Sequence, residues 1–585
     1  SEMCIRDRIK NSPLSFISRK QLALLQWYIL FSLLFSCVPL KSLKKIDAKD
    51  NAFTEADVKA SQRLVGLNFT QAEIDTMYNY LLRNRANYDT MRTFPLDYNS
   101  SPAIQFNPHP TDFRIPLNQK PLTWEIPESV SLPENINDLA FYSVMELASL
   151  VKSKQITSLE LTQFFLDRLK KYDPILKTVI TLTEKRAIDR ANQADKEISS
   201  GNYRGPLHGI PYGVKDIIAV KGYKTTWGSE PYKDQVIEET ATVVKKLDEA
   251  GAVLVAKLTS GALARGDVWC GGKTLSPWDT TQGSSGYSAG SASATAAGLV
   301  PFALGTETWG SIVSPSARCG VTGLRPTYGR VSRSGVMALS WSMDKIGPIC
   351  RSATDCAVVF EMIRGLDEAD PMTTEASFNH NWDIPVQELK VGYLEKAFEK
   401  DTTDSGENGR DALDVLREMV VELKPVKFPD DFPFRTFDII LRVEAGAFFD
   451  DFLRSNRDDL MVEQTKRSRV NSLRQSRFIP AVEYLQANRH RSRLIESMYT
   501  LMKDYDVVIS PQRGGNQTLI TNLTGHPAIS IPAGFDEKGR PTSIILVGNL
   551  YDEASILALA NHFQDATDFH NKRPPLLDKP VEAPN

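Results

Sequence analysis

Residues 205 to 348 constrain the fold more than any other part of the chain. They are dense in Gly, Ser and Thr, yet broken by short apolar runs that look like strands. Three pieces stand out: Pro206-Leu-His-Gly-Ile-Pro-Tyr-Gly-Val-Lys-Asp216, Gly283-Ser-Ser-Gly-Tyr-Ser-Ala-Gly-Ser-Ala-Ser-Ala-Thr-Ala-Ala-Gly-Leu-Val300 and Gly305-Thr-Glu-Thr-Trp-Gly-Ser-Ile312. The small-residue run Ser291 to Gly298 suits a helix packed closely on other backbone, whose N-terminus presents free N–H groups. Ser311, flanked by glycine, suits a tight loop whose N–H groups point at a reacting oxygen. Lys215 follows Tyr212-Gly-Val at the end of an expected buried strand. A desolvated lysine has a lowered pKa and serves as a base when neutral.

The remaining composition excludes several classes. The chain has 585 residues, 42% of them hydrophobic and 24% charged. It can therefore bury a large core. The formal net charge of −3 gives no electrostatic case for nucleic acid. Six cysteines show no CxxC spacing, which argues against a zinc knuckle or a redox motif. Seven histidines show no ligand spacing, so neither metal nor organic cofactor is expected.

Residues 1–37 read as a signal or lipoprotein-like segment. Arg19 and Lys20 precede an apolar stretch of Leu22 to Ser36, short for a membrane span and right for a signal h-region. Leu34-Phe-Ser-Cys37 resembles a bacterial lipobox with Cys37 as the lipidated residue. An uncleaved anchor helix is the alternative. Either places the body outside the cytoplasm, facing the periplasm or cell surface, with membrane contact only through this anchor. Residues 38–136 read as a polar tether, a helical region over 54–92 and a Pro-rich extended arm.

The main domain is expected over 137–575, followed by a tail at 576–585. Ser143-Val-Met-Glu146 and Thr157-Ser-Leu-Glu160 are capping boxes that open helices. Thr242 to Glu249 reads as a helix, and Val253 to Leu258, Val507 to Ile509 and Ser543 to Val547 as strands. Asp401 to Asn408 reads as a charged loop. Helices alternating with such strands predict an α/β fold with a central mixed β-sheet sandwiched by helices.

The three pieces resemble the amidase signature family, with its Val-Lys-Asp, Gly-Ser-Ser-Gly-Gly-Ser and Gly-Thr-Asp-Thr-Gly-Gly-Ser-Ile motifs. Cys319 to Arg330, Asp344 to Pro348 and Gly525 to Gly534 also match, so the resemblance spans roughly residues 138 to 565. It implies the amidase signature fold and a Ser–Ser–Lys triad that hydrolyses an amide C–N bond. Ser311 would be the nucleophile and acyl-enzyme site, Lys215 the base, and a second serine the bridge. The N–H groups around Thr308, Trp309, Gly310 and Ser311 would form the oxyanion hole. A small-molecule amide, carbamate or ester is the implied partner.

The bridge is where the sequence departs. The family's spacing lands on Tyr287, 24 residues before Ser311. Ser288 would serve after a one-residue shift. Ser284 and Ser285 would serve if they folded back. Otherwise water or the Tyr287 hydroxyl replaces the bridge, or the chain only binds amides. The family's Asp is Glu307, and one of its glycines is Trp309, either an apolar wall or core packing. The arginine that often follows the nucleophile is Val313, which argues against a small anionic substrate such as glutamine. Two rival readings exist. Gly286-Tyr-Ser-Ala-Gly290 fits a G-x-S-x-G elbow, but the residues before it are turn-like rather than a strand. The amidotransferase component that feeds ammonia to tRNA charging is opposed by the leader and by Val313. Pocket walls are expected from residues 95 to 135 and from Glu444 to Leu453.

Overall fold

The computed structural model describes residues 53–380, 384–420 and 422–578. The leader expected over 1–37 lies outside them. Two compact units are present, Ser1–Pro95 and Leu96–Asn585. The smaller holds helices Glu55–Ser61 and Gln71–Met91, opened by capping boxes at Thr54/Asp57 and Thr70/Glu73. No helix among the described residues is long and apolar enough to cross a membrane.

The larger unit is built on strands β1 (Val179–Leu182), β2 (Pro211–Lys215), β3 (Val253–Leu258), β6 (Phe302–Glu307), β7 (Thr322–Arg325), β8 (Lys345–Cys350), β9 (Val391–Tyr393), β10 (Leu423–Pro425), β11 (Val507–Pro511), β12 (Ala528–Phe535) and β13 (Pro541–Gly548). A small separate hairpin pairs β4 (Val268–Trp269) with β5 (Gly272–Lys273). The main sheet runs β1-β3-β2-β6-β8-β7-β12-β13-β11-β9-β10. It is mixed: β3, β2 and β6 are parallel, whereas β6, β8, β7, β12, β13 and β11 are successively antiparallel. In β3, Val253 and Val255 join one apolar cluster and Leu254 joins another. The strand is therefore covered on both faces, as a continuous apolar run requires.

The capping boxes at Ser143 and Thr157 form as their sequences predict. The charged stretch at 401–408 does not stay a loop, because helix Asp404–Met419 starts inside it. Gly406 lets that helix begin against the preceding turn, where an added Cβ would stand 2.0 Å from the Asp401 carbonyl oxygen.

The Pro-rich stretch 96–135 lies in the larger unit and is held by its side chains. Tyr98 stacks edge-on against Trp227 at 5.0 Å. The Arg491 guanidinium sits 3.5 Å over the Phe106 ring. His109 Nε2 meets the Tyr551 hydroxyl at 2.7 Å. Such contacts order a segment that has no ladder of its own.

Beside β2, Asp216 forms a wholly buried pair with Lys257, 2.8 Å apart. Its second oxygen accepts from the Thr226 N–H at 2.8 Å and the Thr226 hydroxyl at 2.6 Å. Removing one member of such a pair strands a charge in the core. Asp216→Asn is expected to cost about 3–5 kcal/mol, with part recovered in Asp216→Asn/Lys257→Met. Urea denaturation midpoints check both.

Candidate active site

β2 and β6 run side by side, with Val214 in register with Leu304. This brings the last residue of β2 against the end of β6. Lys215 is wholly buried, and its Nζ donates to Thr306 Oγ1 at 2.8 Å. Burial pushes the Lys215 pKa down to about 7, although the nearby Asp344 and Glu307 carboxylates oppose the shift. The lysine is thus poised between its charged and neutral forms. Thr306 lies within the Gly305 to Ile312 piece, but nothing in the sequence says that it meets Lys215. Only the parallel pairing of β2 and β6 reveals it.

After Glu307 the chain turns through Thr308 to Ser311 and enters helix Val313–Cys319. Gly310 takes a left-handed φ of +89°, and an added Cβ would lie 3.0 Å from Ser314 Oγ. Glu307 Oε2 accepts from the N–H groups of Ile312 at 2.8 Å and Val313 at 3.0 Å. Its Oε1 accepts from Arg325 at 2.7 Å and Asn522 at 2.8 Å. Burial alone would raise its pKa, but Arg325, Asn522 and the Val313 N–H outweigh that and hold it at about 2. The carboxylate thereby fixes the turn that presents Ser311. Among the described residues, no protein acceptor engages the N–H groups of Trp309, Gly310 or Ser311. Thr308 donates its hydroxyl to Asp344, whose other oxygen accepts from the N–H groups of Leu339 at 2.7 Å and Ser340 at 2.9 Å.

The candidate bridges are dispersed. Ser288 precedes helix Ala289–Ala296, and its hydroxyl is bound to the Thr306 backbone, 3.2 Å from both N and O. It stitches the small-residue helix to β6 and makes no hydrogen bond to Lys215 or Ser311. Ser284 Oγ is buried without a partner among the described residues. Ser285 has a left-handed φ of +65° and donates its N–H to Asp267 at 3.2 Å. Tyr287 lines a cavity that also reaches Ser311. No strand precedes Ser288 directly, which removes the structural basis of the elbow reading. His208 is buried, its Nε2 3.1 Å from Glu197, and has a structural place.

Two cavities meet at Ser311. The first, of about 60 Å³, is lined by Lys215, Thr306, Thr308, Ser311 and Asp344, with apolar walls from Ile217, Met337 and Trp341. Tyr98, Asn99 and Ser101 of the arm close it, as expected for the stretch from residue 95. Glu444 supports the wall from behind: it accepts from the Ser340 and Ser342 hydroxyls, each at 2.7 Å. The second cavity, of about 390 Å³, is lined by Tyr287, Thr308, Trp309 and Ser311, by Asp438, Leu441 and Arg442, and by Lys466, Ser468, Arg469, Ser472 and Gln475, so the stretch Glu444 to Leu453 expected as a wall lines neither cavity. Trp309 fills both of its expected places: it faces this cavity and packs against the apolar cluster around Val313 and Leu519.

The chain matches the Amidase family over residues 160–517, more than half its length. It belongs to the amidase signature family. The amidase is 30% identical over 476 residues to the A component of the glutamyl-tRNA(Gln) amidotransferase of Prochlorococcus marinus (strain NATL2A), covering 73% of this chain and 98% of the relative. The corresponding Acinetobacter baumannii (strain AYE) protein is 31% identical over 494 residues, covering 76% and 100%. The native peptide amidase from Stenotrophomonas maltophilia is 27% identical with a TM-score of 0.65, covering 74% of this chain and 98% of that one. The amidase is accordingly an enzyme of amide C–N hydrolysis.

Glu307→Gln removes the charge that Arg325 faces in the core. It is expected to cost about 3–5 kcal/mol of stability and, by loosening the turn, to slow acylation of Ser311 about 10²-fold. Denaturation midpoints and the rate of fluorophosphonate labelling read the two effects.

Proposed function

We propose that the amidase cleaves its amide through an acyl-enzyme on Ser311, with neutral Lys215 as base and the Thr306 hydroxyl as its proton partner. The observation that carries this reading is the 2.8 Å contact between Lys215 Nζ and Thr306 Oγ1, in a cavity that Ser311 shares. Ser311 Oγ attacks the carbonyl carbon. Its proton passes across the cavity toward Thr306, while the Thr306 proton moves to Lys215 Nζ. The C–N bond then breaks as the nitrogen takes a proton back along the same route, and water hydrolyses the ester. The unengaged N–H groups of Trp309, Gly310 and Ser311 suit the developing oxyanion, each such donor being worth about 3 kcal/mol.

This reading moves the bridge from the serines of the glycine-rich loop to a threonine on the strand beside Lys215. A tyrosine at position 287 is then compatible with turnover, because Thr306 already meets the lysine. The likeness to the Stenotrophomonas relative, a peptide amidase, supports a free-standing hydrolase of small amides. Val313 is buried and apolar, so no cation follows the nucleophile there. That favours hydrolysis of a larger amide over the glutamine chemistry expected of an amidotransferase component. We also take the N-terminal basic and apolar stretch as a membrane address that would tether the enzyme outside the cytoplasm.

The test is mass spectrometry of the intact protein after a fluorophosphonate probe. A single adduct on Ser311, absent in Ser311→Ala, supports the nucleophile. Lys215→Ala and Thr306→Val should each slow labelling by about 10²–10⁴-fold. A larger loss in Ser288→Ala than in Thr306→Val would return the bridge to Ser288. Because Lys215 must lose its proton to act, and its pKa is pushed down to about 7, labelling should rise about tenfold per pH unit below 7 and level off above it. A rate flat from pH 5 to 9 would sink the role of Lys215.

A further inference from the structure

The two cavities at Ser311 differ in charge. In the first, the cations are silenced. Arg333 forms a double ion pair with Asp370, both contacts at 3.0 Å. Lys215 and Lys345 are pushed by burial toward their neutral forms. The second cavity has four cationic walls, Arg265, Arg442, Lys466 and Arg469, against one acidic residue, Asp438. Arg442 is spent on Asp438 and on the Gln475 amide oxygen, 2.8 Å away. Among the described residues, no carboxylate lies within ion-pair distance of Arg265, Lys466 or Arg469.

Arg469 is the informative one. It is buried, yet its charge is balanced by no acid within ion-pair reach among the described residues. Its Nε donates to the Leu263 carbonyl at 3.1 Å and its Nη2 to the Ala264 carbonyl at 2.9 Å. Both residues lie in a left-handed turn, with φ of +49° and +52°. The guanidinium is therefore pinned in place, with Nη1 free among the described residues. A buried cation held rigidly without a counter-charge is costly unless something else supplies the charge. Ser468, Ser472 and Gln475 line the same space with neutral polar groups, while Trp309 and Leu441 give it an apolar side.

We propose that this second cavity binds the anionic end of the substrate: an amide with an apolar body and a carboxylate or like oxyanion set away from the scissile carbonyl. This rests on the hydrolase reading and names its substrate class. It also agrees with Val313. A cation directly after the nucleophile would suit a small anionic amide, whereas these cations stand on a separate wall and suit a longer one. Arg469 supplies the fixed, planar donor and Arg265 and Lys466 the adjustable charges.

The test uses two matched pairs of amides. N-benzoyl-4-aminobenzoate and its methyl ester place the anion on the amine side. Terephthalic acid monoanilide and its methyl ester place it on the acyl side. For the full chain, kcat/KM is measured; for Ser311→Ala, Kd is measured. The expected result is a preference of about tenfold or more for the anionic member of one pair, in both readouts. The preference should shrink at least about fivefold in Arg265→Gln/Lys466→Gln, and also between about 0.05 and about 0.5 M salt. Those two side chains are half-buried and exposed, so the double variant is expected to fold; circular dichroism checks this. Hydrolysis with no anionic preference in either pair overturns the subsite and keeps the hydrolase. Tighter binding of an anionic amide to Ser311→Ala, without hydrolysis by the wild type, keeps the subsite and overturns the hydrolase reading. Equal or weaker binding of both anionic members to Ser311→Ala overturns the subsite whatever the activity.

Discussion

One buried carboxylate holds the catalytic region together. Glu307 ends β6, ties down the first N–H groups of the helix that follows Ser311, and pairs with Arg325 on β7. Arg325 in turn donates to the His526 carbonyl at 3.0 Å, and Asn522 reaches Glu307 from the same C-terminal region. Motifs far apart in sequence are thus one electrostatic unit in space. A carboxylate with four donors stays ionised in a core that would otherwise protonate it. The longer glutamate, standing where the family has aspartate, still meets all four. The geometry of the nucleophile turn is set by charge balance, not by packing alone.

Much of this was legible in the sequence. The Val-Lys-Asp run, the glycine before Ser311 and the Ser/Thr–x–x–Glu boxes each carry a local physical demand: a buried strand end, a left-handed turn, a helix cap. Local demands survive without coordinates. Thr306 did not stand out, because its importance comes from the neighbouring strand and not from its own neighbours in sequence. Ser288 suited the bridge only after a one-residue shift from Tyr287, and its hydroxyl is consumed by the backbone of that same threonine. The cationic wall was equally hidden. Arg265 and Arg469 stand far apart along the chain, and an overall charge near neutral conceals their convergence. The loop expected at 401–408 gives way to a helix from Asp404, where Gly406 serves close approach rather than a turn.

The serine also sits at a boundary between two electrical environments. On one side the charges are paired or held neutral, which suits a base that must be uncharged to work. On the other a guanidinium with no ion-pair partner among the described residues is locked to two carbonyls. A low dielectric strengthens both effects, since unscreened charge acts over longer distances. The two sides are coupled: after burial itself, the positive charge of Arg469 helps push the Lys215 pKa down and so favours the neutral base, while Asp344 acts on both cations in the opposite direction.

The arm of residues 96–135 closes the first cavity with Tyr98, Asn99 and Ser101, yet contributes no strand to the sheet. Its anchors are side-chain contacts rather than a backbone ladder. The residues it places at the cavity, Tyr98, Asn99 and Ser101, are therefore carried separately from Lys215 on β2, Thr306 on β6 and Ser311 in the turn after it. The wall of the first cavity and the groups that react in it thus come from different stretches of the chain.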